Sequence, residues 1–181
     1  MILPEPSETT PDCERCCSLC CVAPPFFAGE DFAIDKGPGV PCPYLDTEFR
    51  CTIHDRLAEE GFRGCEAYDC HGAGQKVTQV TFGGRDRRRE PEIAESMFAT
   101  FKVMERIHEQ LGLLSSALGL EAAAELHPEL QHKRDELVVL SQGTAAELTG
   151  LDFGPHRAEV QTLLRQVGEL MRAAGLEPAG Q

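Results

Sequence analysis

Apolar positions follow two different rules along this chain. After Pro91, residues Ile93, Met97, Phe101, Met104, His108, Leu111 and Leu118 recur mostly at intervals of three and four. That period predicts a long amphipathic helix, with Pro91 placed in its first turn. A second helical region is expected over about 120–148, with a patchier apolar face. It breaks at His127-Pro128 and loosens at Gly143, where residues 144–147 have the form of a capping box. The last stripe is the clearest: Val160, Leu163, Leu164, Val167, Leu170 and Met171, with Pro155 near its start and Gly175 just past its end. Three helices joined by short turns predict a small C-terminal antiparallel helical bundle over 91–176, followed by a tail at 177–181.

The front of the chain has no such period. Residues 1–12 hold three prolines among polar neighbours and are expected to be a flexible leader. From Cys13 to Gly74 the segment is rich in Gly, Pro and Cys and is expected to be loop-rich, with too thin a core to stand alone. Its clearest local helix is expected at 52–61, capped by Thr52 and ended by Gly61. Residues 76–82 have weak strand propensity, and Gly83-Gly84 breaks them before the basic run 85–89. The expected organisation is a cysteine-rich metal-binding domain with its connector over 13–90, then the bundle. The fold class is mainly α with a loop-rich cysteine domain.

Composition narrows the function. The chain has 181 residues, 41% of them hydrophobic, enough for one real core. A formal charge of −13, from 30 acidic against 17 basic side chains, argues against nucleic acid and anionic lipid as partners. No apolar run reaches membrane-spanning length and the opening residues lack the pattern of an export signal, so a soluble cytoplasmic protein is expected.

The nine cysteines change the picture most. All lie between Cys13 and Cys70, and the longer remainder, which also packs a core, has none. Cysteines serving only as small hydrophobes would not segregate this way. Reduced cytosolic thiols in such number point to metal binding, whereas a disulfide framework fits poorly with an odd count and no export signal. Cys13 and Cys16 form a C-x-x-C turn able to aim two sulfurs at one ion. Cys20 and Cys21 are adjacent, so their side chains diverge and suit two metals, two irons of a cluster, or one ligand and one core position. Cys42, Cys51, Cys65 and Cys70 arrive from separate loops, with His54 and His71 nearby. Thiolate-rich ligation selects zinc, an iron-sulfur cluster or copper(I) over hard cations, and the choice among these stays open.

The arrangement resembles the YkgJ-type cysteine-cluster family, described as zinc- or iron-chelating domains. Cys13, Cys16, Cys20 and Cys21 match its C-x-x-C-x-x-x-C-C signature, Cys42 and Leu45 its C-x-x-L element, and Cys51, Ile53, His54 and Arg56 its C-x-I-(Tyr or His)-x-x-Arg element with one residue fewer. The match covers roughly 13–70. The family places Pro after the arginine and a cysteine soon afterwards, whereas this chain has Leu57 and delays its next cysteine to Cys65. Residues 65–89 also resemble the segment that precedes the repeats in some actinobacterial pentapeptide-repeat proteins, although this chain contains no such repeat. The resemblance implies a metal-chelating module.

Bland roles compete with sharp ones. Cys17 lies outside the signature and suits packing, while a helical 13–20 segment would align Cys13, Cys16, Cys17 and Cys20 on one face, as a copper(I) store requires. His54 suits a ligand or a surface position equally, and His108 suits a satisfied core histidine. Arg56 is the expected counter-charge, since four thiolates on a divalent ion leave a net charge of about −2. The basic run at 85–89 is expected to be a solvated connector paired with Glu90 and Glu92. The leading expectation is an accessory module with zinc or an iron-sulfur cluster held by Cys13, Cys16, Cys20, Cys21, Cys42, Cys51, Cys65, Cys70 and His54. Its bundle would engage a protein partner or a second copy. The alternatives are an iron-sulfur or iron-dependent redox enzyme, and copper(I) storage or trafficking.

Overall fold

The computed structural model describes residues 9–176, so most of the expected leader and all of the tail at 177–181 lie outside the described residues. The fold is mainly α. In the front half, α1 (Leu19–Val22), α2 (Arg63–Ala67) and α3 (Ala73–Gln75) are short. The back half is built from α4 (Ala94–Leu118), α5 (His127–Leu140), α6 (Ala145–Thr149) and α7 (Gly154–Ala173).

The 25-residue α4 is the spine. At 1.5 Å per residue it is about 37 Å long, enough to touch both halves. Of its expected stripe, Met97, Phe101, Met104, His108 and Leu111 are buried, Ile107 and Leu114 join them, and Leu118 is only partly buried. Each fully buried large apolar side chain contributes roughly 1.5–3 kcal/mol. A 3-10 turn at Pro91–Ile93 leads into α4, and another at Glu121–Leu126 precedes α5. The buried face of α5 is Leu130, Lys133 and Leu137, which explains the patchy pattern: a lysine occupies a core-facing position. The capping box at Thr144 and Glu147 forms and starts α6. Gly175, with φ +73, takes the left-handed conformation that ends α7.

The main core crosses the expected boundary at residue 90. Leu19, Ala23, Ala73 and Val77 from the front pack with Met97, Phe101 and Met104 of α4. A second, smaller core of Phe26, Cys42, Ile53 and Phe62 belongs to the front half alone. Phe26 stacks on Phe32 with ring centroids 4.4 Å apart, and Tyr44 meets Phe62 edge-on at 5.4 Å.

Two local expectations are corrected. Residues 76–82 do not extend: Lys76–Thr81 continues α3 as a π-helical turn, with Val77 and Thr78 buried against the core, so packing overrides a weak strand propensity. Residues 52–61 wind through consecutive turns in place of a regular helix. Thr52 does not cap them, because its hydroxyl donates to the Tyr44 carbonyl at 3.0 Å, although Gly61 does close the segment at φ +79.

Candidate metal centre

The first thiols sit on a backbone that changes direction twice. Asp12 caps a 3-10 turn at Cys13–Arg15, its carboxylate accepting from the Glu14 amide at 3.0 Å. Cys16 is extended (φ −116°, ψ 141°), and Ser18 is left-handed at φ 59°. The Ser18 hydroxyl donates to the Phe49 carbonyl. Only then does α1 begin and carry Cys20 and Cys21. A single helical face bearing Cys13, Cys16, Cys17 and Cys20 therefore does not form. Cys17 turns into the main core, its sulfur 3.5 Å from both Met97 Sδ and Thr78 Oγ1. The packing role fits it.

The later thiols are brought in by loops pinned to α1 and to one another. The Cys42 amide donates to the Cys21 carbonyl at 3.0 Å. An isolated antiparallel bridge pairs Leu45 with Cys51. Cys65 rides on α2, its amide donating to the Phe62 carbonyl at 3.0 Å. Cys70 precedes a tight turn in which His71 (φ 47°) and Gly72 (φ 79°) are both left-handed, and the Asp69 carboxylate accepts the His71 amide at 2.6 Å. Gly74 lets Cys16 approach closely, since a Cβ there would lie 2.6 Å from the Cys16 sulfur.

Cys20 and Cys21 sulfurs are 4.0 Å apart. Their hydrogen bond holds the Cys21 thiol below its ordinary range, and Lys36 and Arg87 add to this against the effect of burial. The same bond and burial push Cys20 well above the ordinary range, with Cys21, Cys16 and Cys70 adding to the rise. Burial pushes Cys65 up to about 12, helped by Cys21, Cys42 and Cys51. It pushes Cys16 up to about 11. Burial also raises Cys42, Cys51 and Cys13, and each of these feels the charge of Cys21. Cys21 is thus the hub of the thiol group. All nine cysteines are free thiols. No three cysteine sulfurs among the described residues fall within 4.8 Å of one another.

Two buried cations stand beside this hub. Lys36 is 6% exposed, and its ammonium donates to the carbonyls of Val22, Pro24, Gly37 and Val40, with Val22 at 3.2 Å and Val40 at 2.9 Å. Burial lowers its pKa, and Cys42, Cys21, Cys65 and Cys20 oppose that shift. Arg87 is 7% exposed, donates to the Cys17 carbonyl, and leaves Nη2 buried with no hydrogen-bond partner among the described residues. Neither cation forms an ion pair with a carboxylate among the described residues. A buried charge without a counter-charge costs several kcal/mol.

Lys36 and Arg87 are the site residues that sequence reasoning missed. They, and not Arg56, are the cations that lie beside the thiols. Arg56 is exposed and pairs with Glu60 at 3.0 Å and Asp55 at 3.5 Å. Nor is the run 85–89 a solvated connector throughout: Arg87 is buried, and Arg88 donates to the Asp46 and Thr47 carbonyls at 2.6 Å while stacking over Phe49 at 4.1 Å. Arg85 pairs with Glu90, as expected. Charge balance was the available signal, and it pointed to Arg56 because nothing in the sequence marks Lys36 or Arg87 as buried. His54 lies exposed in the turn after Cys51 and makes no hydrogen bond to a thiol among the described residues. The ring of His71 packs toward Gly112 of α4, and His108 binds the His71 carbonyl through Nδ1 at 2.7 Å.

Glu136, His156 and Glu159 also converge, within 4.8 Å of one another, on the groove between α5 and α7. The buried Lys133 ammonium already fills that spot: it donates to Glu136 at 2.9 Å and to Glu159, and lies 3.2 Å from His156 Nδ1. Burial alone would lower the Lys133 pKa, but the two carboxylates raise it, so the site holds its own cation.

No helix among the described residues is long and apolar enough to cross a membrane. No family model and no solved structure matches the chain. It is similar to an uncharacterised protein of Bacillus subtilis (strain 168), YybG, at 44% identity over 167 residues. The match takes in 92% of this chain and 60% of YybG, so the chain spans well under two thirds of that relative.

Proposed function

We propose that the front half is a metal-binding module whose cysteine thiolates hold an iron-sulfur or zinc centre, with an accessory role and not a catalytic one. The observation that carries this reading is the pair of buried cations, Lys36 and Arg87, set beside Cys21 without a carboxylate partner among the described residues. Four thiolates on a divalent ion, or around an iron-sulfur core, leave a net negative charge that offsets them. Sulfur spacing favours iron-sulfur of the two. A tetrahedral zinc site with bonds of about 2.3 Å sets its sulfurs about 3.8 Å apart, and no three cysteine sulfurs among the described residues are within 4.8 Å. A polynuclear cluster, whose ligands bond different metal atoms, accepts wider spacing. The helical half is proposed to engage a protein partner or a second copy, with Val139 of α5 its most exposed large apolar residue at 68%.

The test is elemental and sulfide analysis, with a visible spectrum, on protein purified without oxygen. Iron with acid-labile sulfide and a brown colour is expected. Colourless protein with stoichiometric zinc would move the assignment to zinc, and several copper equivalents would move it to storage. Metal-free protein with its cysteines in disulfides would end the proposal.

A further inference from the structure

We infer that the module holds two metal centres, one bound by Cys21, Cys42, Cys51 and Cys65 and the other by Cys13, Cys16, Cys20 and Cys70. This deepens the metal-binding reading and rests on it. The two sets lie on different apolar walls. Cys21, Cys51 and Cys65 pack with the buried Cys42 around Phe26, Ile53 and Phe62. Cys16, Cys20 and Cys70 pack against the main core that α4 lines.

Electrostatic neighbours sort the thiols in the same way. Cys65 feels Cys21, Cys42 and Cys51. Cys20 feels Cys16 and Cys70 besides its neighbour Cys21, and the strongest thiol neighbour of Cys13 is Cys70. Cys13 also feels Cys21, so the two sets meet along that edge.

The division begins in α1. Adjacent side chains on a helix point about 100° apart, so Cys20 and Cys21 face the two different walls, although their sulfurs are only 4.0 Å apart. Four thiolates saturate one zinc or one cubane. Seven thiols lie against the two walls, and Cys13 is tied to the Cys70 side by the Asp12 amide, which donates to Gln75 Oε1 at 2.8 Å; the eight complete two centres, and Cys17, buried on Met97 and Thr78, is the one left over. Each set also has its own cation: Lys36 lies beside the Cys21 set and Arg50 beside Cys13.

Native mass spectrometry of the full chain, purified and reconstituted without oxygen, counts the centres directly. The wild-type protein is expected to carry two equal mass increments of metal. The double variant Cys42→Ser with Cys65→Ser should keep one increment, and Cys16→Ser with Cys70→Ser should keep the other, while Cys17→Ser keeps both. One increment in the wild type overturns the two-centre inference and leaves metal binding intact. So does loss of both increments from a double variant whose helical circular dichroism is unchanged. If a double variant fails to fold, the wild-type count still decides. No increment in any sample, with all thiols open to alkylation, would overturn metal binding itself.

Discussion

The two halves of this molecule are held together by different means. Around α4 the large buried side chains are almost all apolar, and the buried lysine there, Lys133, has two carboxylate partners. The cysteine half has a private core of four buried residues, one of them a thiol, and it buries two cations that pair with no carboxylate among the described residues. Segments that bury little apolar surface need a staple, and a metal bound only by the folded form adds its binding energy to folding. With metal held as proposed, the helical half should be indifferent to it and the cysteine half dependent on it.

The largest expected effect tests the indifferent side. Leu114 is fully buried on α4, so Leu114→Ala should cost about 2–5 kcal/mol through lost burial and a cavity. Urea denaturation followed by helical circular dichroism should give the same loss in metal-loaded and metal-stripped protein. A loss confined to loaded protein would break the comparison.

Next in size is Arg87→Met, aimed at the dependent side. Removing a buried cation that offsets thiolate charge should weaken metal retention about 10–100-fold against a competing chelator. The same change should leave stripped protein no less stable, since an apolar side chain replaces a charge lacking a counter-charge. If stripped protein is destabilised as much as loaded protein, Arg87 is only a structural clamp on the Cys17 carbonyl.

The helical half was legible from the sequence because its elements are long and their stabilising contacts are periodic. The stripe from Ile93 to Leu111, the break at His127-Pro128 and the capping box at Thr144 all appear in place. The cysteine half was legible in chemistry but not in geometry. Residues 52–61 and 76–82 have their conformations set by loops and by packing against α4, and neither leaves a period in the sequence. Lys36 and Arg87 escaped for the same reason: each reaches its position through a loop, and a buried cation looks like an exposed one until its surroundings are known.

Alkali should separate the stripped from the loaded protein. Folding raises Cys65 to about 12 and Cys16 to about 11 from an ordinary value of 9.0, so the folded state favours the neutral thiols. That contribution is fully present below pH 9 and is lost as the pH rises toward 11 and 12. Stripped protein should therefore lose thermal stability across that alkaline window. Loaded protein should instead lose metal as the pH falls, because protons compete for the thiolates. A stripped protein with a flat profile from pH 9 to 11 would show that these thiols are not desolvated.

The smallest effect returns to the helical half. Thr144 Oγ1 accepts the Glu147 amide at 3.3 Å, and the Glu147 carboxylate accepts the Thr144 amide at 2.8 Å. Thr144→Ala removes the first of these bonds and the 2.7 Å bond from the Thr144 hydroxyl to the Glu147 carboxylate, at an exposed position, and should cost about 1 kcal/mol. Through Leu148, which is buried in the main core, the cap fixes where α6 docks. Metal content should not change, because the hydrogen bonds of the cap join Thr144 only to Glu147 and reach no residue of the cysteine half. Loss of metal from this variant would mean that the halves are coupled along α4 and that neither can be treated as independent of the other.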